Sequence, residues 1–420
     1  MWKAYPRVWV DLKTIEIIAA LLRLLWPSRA AGRALVPGFE QSFAHFLGVQ
    51  NAVAFPNCRS ALFHALKALE LEPGDEVILP AFTFWVDPAV VLLAGLKPVF
   101  VDVDFATANL DMARVEAAIT PRSRVIMPVH LNGLPVEMLQ LQAIAEKHDL
   151  RVIEDCARAC GATYGHDRVG TLDIGAFSFG YGKSFYGFGG GMVTSNDAGF
   201  MERVRSLQKP FHTIPTREMV LAVLKGSLLK FLNTPTLHKW TLFPLVKRFV
   251  LENDPLLDGW FRVKKPHYTE VPHLFRRHMF NIQAAMGFRQ IKTIDQSNRK
   301  RHDILRLFRQ ELAGVAGLQL PPDPVDRDHV CVHFAVWSEQ CQELQRFLLH
   351  HGIDAQDESA QDVTQMERFI PYAAGPYPHA AQLNSRVCYL PAHPCLNEKD
   401  VRYIAGMVKL FFAENKNRAH

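Results

Sequence analysis

From Asn51 to about Ser195, short apolar runs alternate with segments whose apolar residues recur at helical spacing. The runs are Glu76–Pro80, Lys97–Val103, Arg124–Val129, Leu150–Glu154 and Gly175–Phe179. Between them, Ser60–Leu71, Asp87–Ala94, Asp111–Ile119 and Met138–His148 have the period of helices. Such alternation predicts an α/β fold, with a mostly parallel sheet and helices on both faces. Ligands of these sheets bind beyond the carboxyl ends of the strands, so the residues that follow each run are the first candidates for chemistry.

Beyond about residue 200 the pattern changes. Met219–Leu232 reads as an amphipathic helix, and Thr234–Val250 adds Trp240, Phe243 and Phe249 among Lys239, Lys247 and Arg248. Helical stretches follow at Met279–Ile294 and Arg299–Leu312. From about Leu318 the chain reads as a smaller α+β domain, with apolar runs Val330–Trp337 and Arg386–Leu390 and helices Gln340–His351 and Glu398–Phe412. The expected organisation is an N-terminal arm with an amphipathic helix over 1–36 and a large domain over 37–265 that contains an apolar helical insertion at 211–265. An inter-domain helix and the small domain fill 266–420. A chain of 420 residues has room for two or three domains.

Composition narrows the function. The 47 Lys and Arg exceed the 42 Asp and Glu by five, and no basic block is dense enough for a nucleic-acid stripe. A small anionic substrate fits that balance. Seven cysteines, an odd number scattered from 58 to 395, read as reduced thiols, and without a CxxC pair a zinc ribbon is not expected. The apolar stretch Ile15–Trp26 is broken by Glu16 and Arg23 and lacks a signal-peptide cleavage site. No uninterrupted apolar run reaches 18 residues, so a spanning helix is not expected either. The expected compartment is the cytoplasm.

The chemistry concentrates in Val152–Thr194. Glu154 and Asp155 close a strand, and Lys183 sits in a glycine-filled loop just after the run GAFSF. A solvated lysine needs no glycines around it. One that forms a Schiff base needs close backbone approach and an adjustable pKa. An aspartate at a neighbouring strand end can hold a pyridine nitrogen protonated, and Ser178 can donate to a phosphate.

Seven ordered blocks carry a resemblance: FPNCRSAL (55–62), PGDEVILPAFTF (73–84), GLKPVFVDVD (95–104), PVHLNGLP (128–135), IEDCARACGA (153–162), FSFGYGK (177–183) and GGGMVT (189–194). The chain resembles the StrS/DegT-type (DegT/DnrJ/StrS) aminotransferases, a pyridoxal-phosphate family of fold type I best known for aminating keto-sugars. The likeness resumes at MFNIQAAMGFRQI (279–291), HHGIDA (350–355) and LPAHPCLNEKDV (390–401). It implies pyridoxal 5′-phosphate as cofactor, with Lys183 condensed with its aldehyde and later shuttling a proton. It also implies Asp155 on the ring nitrogen, Ser178 on the phosphate and Phe84 stacked on the ring. The family's phosphate loop matches Cys58, Arg59 and Ser60, where helix N–H groups form an anion site and Arg59 adds a charged fork.

Four positions depart from the family. Arg158 stands where Gln or His usually lies near the cofactor hydroxyl, and Gly189 where a glutamate is usual. Arg276 replaces an asparagine that reaches across a dimer to the partner's phosphate, and Ser184 follows the lysine in place of asparagine. The presence of Lys183 sets the chain apart from the dehydratase relatives, which carry histidine there. No metal is expected.

The resemblance implies transfer of an amino group, with glutamate the expected donor, to a keto-sugar that is most often nucleotide-linked, by a homodimer. A keto-cyclitol or a lipid-linked glycan is the alternative acceptor. A non-catalytic regulatory protein would have had no reason to keep both Lys183 and Asp155. Two apolar segments, Asp11–Trp26 and 213–250, exceed what the chemistry requires. Their Lys-flanked Trp, Phe and Leu residues fit helices lying in a membrane interface, while a subunit contact or a lid is the commoner use of such faces.

Overall fold

Seven strands build the central sheet of the computed structural model, which describes residues 3–252, 268, 270–355 and 360–418. In chain order they are β1 (Asn51–Phe55), β2 (Glu76–Pro80), β3 (Lys97–Val101), β4 (Ser123–Ile126), β5 (Arg151–Asp155), β6 (Ile174–Ser178) and β7 (Gly191–Ser195). In space the order is β1-β7-β6-β5-β4-β2-β3. β7 runs antiparallel to both its neighbours, and every other pairing is parallel. Residues of β2, β6 and β7 are buried along their whole length. Burial on both faces is what turns such strands into continuous apolar runs.

The five expected strands are all present, Glu76–Pro80 with the expected ends and the others with ends shifted by up to three residues. β1 and β7 are additional. Helices cover both faces, among them Cys58–Ala68, Val86–Leu93 and Met138–Lys147. The Asp111–Ile119 segment is a short helix, Met112–Val115, that tightens into a 3-10 turn.

A second, antiparallel pair, β8 (His333–Trp337) with β9 (Val387–Pro391), has its own core of Phe308, Phe334, Leu344, Leu348, Ile404 and Val408. Phe308 stacks on Phe334 with ring centroids 5.1 Å apart. The helices behind it are Ile294–Leu312, Cys341–His350 and Glu398–Arg418. The expected helix Met279–Ile294 is Asn281–Ile291, since Phe280 is extended and its N–H is held by Gln283 Oε1.

Three helices occupy 216–252: Thr216–Leu232, Pro235–Trp240 and Leu242–Glu252. Residues 253–265 of the expected insertion lie outside the described residues. Thr241, at φ −113° and ψ −80°, separates the last two of these helices. The amphipathic reading of Met219–Leu232 is corrected here. Met219, Val223 and Gly226 are buried while Leu221, Leu224 and Leu228 are exposed, so the helix is apolar on both sides. Among the described residues no helix is long and apolar enough to cross a membrane.

Candidate active site

The carboxyl ends of β1, β5 and β6 open into a cavity of about 550 Å³. Its walls include Arg59, Phe84, Asp155, Ser178 and Lys183, five of the residues expected from sequence. Each arrives from a different element.

At the end of β1 the chain turns directly into the Cys58–Ala68 helix. Asn57 is fully extended (φ −165°, ψ 165°), and its Oδ1 accepts the Ser60 N–H at 2.9 Å. That cap satisfies one of the free N–H groups of the first turn and leaves the remaining ones, with the positive end of the helix dipole, at the cavity wall. Arg59 lines the same wall and its Nη1 reaches the Tyr268 hydroxyl at 3.3 Å. An anion site of this kind is suited to a phosphate group.

The lysine loop is brought against this helix by glycine. Gly189 and Gly190 have φ of +99° and +113°. A Cβ on Gly191 would lie 2.6 Å from the backbone of Asn57 and Cys58, so only glycine lets β7 pass the helix start this closely. Lys183 thereby shares the cavity with the phosphate-type site.

On β5, neighbouring side chains point to opposite faces. Glu154 points away from the cavity and accepts the N–H of Gly170 (2.8 Å) and of Leu172 (3.0 Å), beside His130 Nε2 at 3.0 Å. Its acceptor capacity is spent on structure. His130, Glu154 and Cys156 are close enough together to hold a metal ion, but those backbone bonds already account for the carboxylate. Asp155 points into the cavity, with Oδ1 accepting the Ala157 N–H at 2.7 Å.

Asp87 is a functional residue that sequence reasoning missed. It is wholly buried at the cavity wall, and Thr83 Oγ1 donates to its Oδ2 at 2.6 Å. Burial first, and then the Asp155 charge, push its carboxyl well above the usual carboxylate range. Its buried Oδ1 has no donor facing it. A carboxyl raised in this way holds its proton and can donate a hydrogen bond to Asp155. Burial pushes the Cys58 thiol up, and the nearby Asp155 adds to that rise while Lys183 opposes it.

Three expected residues do not line the cavity. The Ser60 N–H is taken by Asn57 and its hydroxyl donates to the Phe275 carbonyl at 2.9 Å, so its polar atoms serve helix docking. Arg158 turns toward the 130–133 turn, with Nη1 3.5 Å from Asn132 Oδ1. Arg276 is exposed, while its neighbours Leu274, Phe280 and Gln283 do reach the cavity. Tyr181, Gln283 and Glu218 complete the polar lining. A polar side chain inside an otherwise apolar run, as in WVDPAVV, is the one sequence signal that marks Asp87.

The donor set fits pyridoxal phosphate. An amine, a carboxylate backed by an acid, a hydroxyl, a guanidinium and an aromatic ring face one space, and buried Asn57 Nδ2 and Trp85 Nε1 on its lining residues have no protein partner.

Comparison with known proteins agrees. The model of the DegT/DnrJ/EryC1/StrS aminotransferase family matches residues 16–219 and 261–409. The chain is 34% identical to a UDP-N-acetyl-3-dehydro-alpha-D-glucosamine 3-aminotransferase of Acidithiobacillus ferrooxidans, over 90% of this chain and 88% of the relative. It is 31% identical to the GDP-perosamine synthase of Caulobacter vibrioides, over 96% of both. Among solved structures, the aminotransferase from Psychrobacter cryohalolentis superposes with a TM-score of 0.78 at 26% identity, covering 98% of this chain and 99% of that one. These matches, and the site they share a fold with, show that the chain belongs to the DegT/DnrJ/EryC1/StrS aminotransferase family.

Proposed function

We propose that the cavity holds pyridoxal 5′-phosphate and that the enzyme moves an amino group from an amino donor such as glutamate to the keto group of a nucleotide-linked sugar. One observation carries this reading: Lys183, Asp155, Ser178 and Arg59 line a single cavity at the strand ends. The substrate class rests on the relatives, which are named for UDP- and GDP-linked sugars.

The bound cofactor supplies an electron sink for the negative charge that develops on the substrate carbon. The Lys183 amine would hold the cofactor aldehyde and, once displaced by substrate, accept and return a proton at Nζ. The Asp155 carboxylate would keep the ring nitrogen protonated, with Asp87 donating to it from behind. Arg59, Ser178 and the N-terminus of Cys58–Ala68 would bind the phosphate, and Phe84 would cover one face of the ring. In a homodimer, Arg276 would serve the partner subunit's site from its exposed position.

A half-reaction tests the substrate class. The protein is loaded with pyridoxamine phosphate and offered nucleotide-linked keto-sugars, and the absorbance of the aldehyde form is followed. Its return with one of these sugars is the expected result. A response to 2-oxo acids alone, with none to any keto-sugar, would overturn the proposal.

A further inference from the structure

The Thr14–Arg23 and Thr216–Leu232 helices pack together through their inner faces, where Ile17 and Ala20 share a core with Met219 and Val223. Their outer faces are apolar as well. On the first helix Ile15, Ile18 and Leu22 are exposed, at steps of three and four residues. On the second, Leu221, Leu224, Leu228 and Phe231 repeat the same steps, with Leu228 57% exposed. Steps of three and four place each set on one side of its helix. A helix that is apolar all round is normally covered on every side, yet these sides face outward. Trp26 (59% exposed) and Trp240 (70% exposed) stand beside the helices.

The charges around these faces have one sign. Across 12–33 and 213–250 there are ten Lys and Arg against two Glu, a larger surplus than the +5 of the whole chain. Both acids are otherwise engaged, Glu16 being buried and Glu218 lining the active-site cavity. The family model leaves 220–260 unmatched, so the second stripe lies outside its matched segments. A second copy seated symmetrically on this face would bring like charges together, which disfavours it as the occupant. Leu, Trp and Phe ringed by Lys and Arg suit the boundary between acyl chains and anionic headgroups.

We propose that these two outer faces dock on an anionic lipid bilayer, lying in its interface without crossing it. Glu218 and Ala222 of the docking helix line the cavity, so the element that meets lipid is also a wall of the active site.

Flotation of the cofactor-loaded protein with vesicles tests this. Binding is expected to vesicles of equal parts phosphatidylcholine and phosphatidylglycerol and to weaken at least about tenfold on pure phosphatidylcholine or in high salt. The pair Leu224→Glu and Leu228→Glu should weaken it about a hundredfold or more, as two leucines lose their burial. Lys225→Glu should cost about tenfold. Circular dichroism and activity on a water-soluble acceptor should stay unchanged in both variants. Protein that remains unbound at low salt, or binds both vesicle types alike, overturns the proposal. So does a Leu224→Glu and Leu228→Glu variant that turns a dimer into a monomer, which would assign the face to a second copy.

Discussion

The strand-end cavity and the 216–252 helices fill their surfaces by opposite rules. In the cavity, polar atoms are buried and wait for a partner: Asn57 Nδ2 and Trp85 Nε1 have none in the protein. On the helices, apolar side chains such as Leu221 and Leu228 are exposed without cover. An unsatisfied buried polar atom is expensive and persists where a ligand supplies the bond. An exposed apolar stripe is likewise expensive in water and persists where another surface removes it. Each departure from ordinary folding underlies one of the two proposals: a polar cofactor in one place, an apolar boundary in the other.

The contrast is sharpest at Lys183. Lys183→Ala should lower transamination about 10⁴-fold or more and abolish the visible band of the bound cofactor, as measured by initial rates and absorbance. Activity near that of the original enzyme would break the account of the cavity. Asp155→Asn should retain cofactor while slowing turnover by about 10² to 10³-fold, since the ring nitrogen loses its counter-charge.

Asp87 separates two roles. If it donates to Asp155, Asp87→Asn keeps a donor and should cost less than about tenfold, whereas Asp87→Leu should cost about 10²-fold in kcat. The same residue sets a pH dependence of stability. Its carboxyl is raised by burial and by Asp155, so its stabilising contribution is complete below the unfolded value and is lost as pH rises through the folded one. Asp87→Asn should therefore gain stability over the original chain as pH rises, read from urea midpoints.

Much of this architecture was legible before the structure. β2 reads EVILP, and β4 and β5 each carry a Val–Ile pair, because strands buried on both faces fill their middles with apolar residues. β1 (NAVAF) and β7 (GMVTS) were not legible, as small residues that admit close packing give no strand signal. Lys183, Asp155 and Ser178 were visible from strand ends and glycines. The Ser60 hydroxyl was misplaced because its acceptor, the Phe275 carbonyl, is remote in sequence. Asp87 was hidden for the same reason: its meaning comes from Asp155, on another strand. Which side of Thr216–Leu232 is covered also depends on tertiary contacts, since its composition is apolar throughout.

A smaller effect comes from buried histidines. Burial lowers His64 and His238 to about 4 and His329 and His393 to about 3, so they fold in the neutral form. The unfolded chain takes up protons near pH 6.5 and the folded chain does not, so stability should fall as pH drops from about 6.5 toward 4. A urea midpoint that is flat across that range would contradict their burial.

The most direct test of the central claim is reduction of the cofactor-loaded protein with borohydride, followed by peptide mass spectrometry. The account predicts a stable pyridoxyl-phosphate adduct on the peptide that contains Lys183, at that residue. An adduct on another lysine, or none, would contradict it.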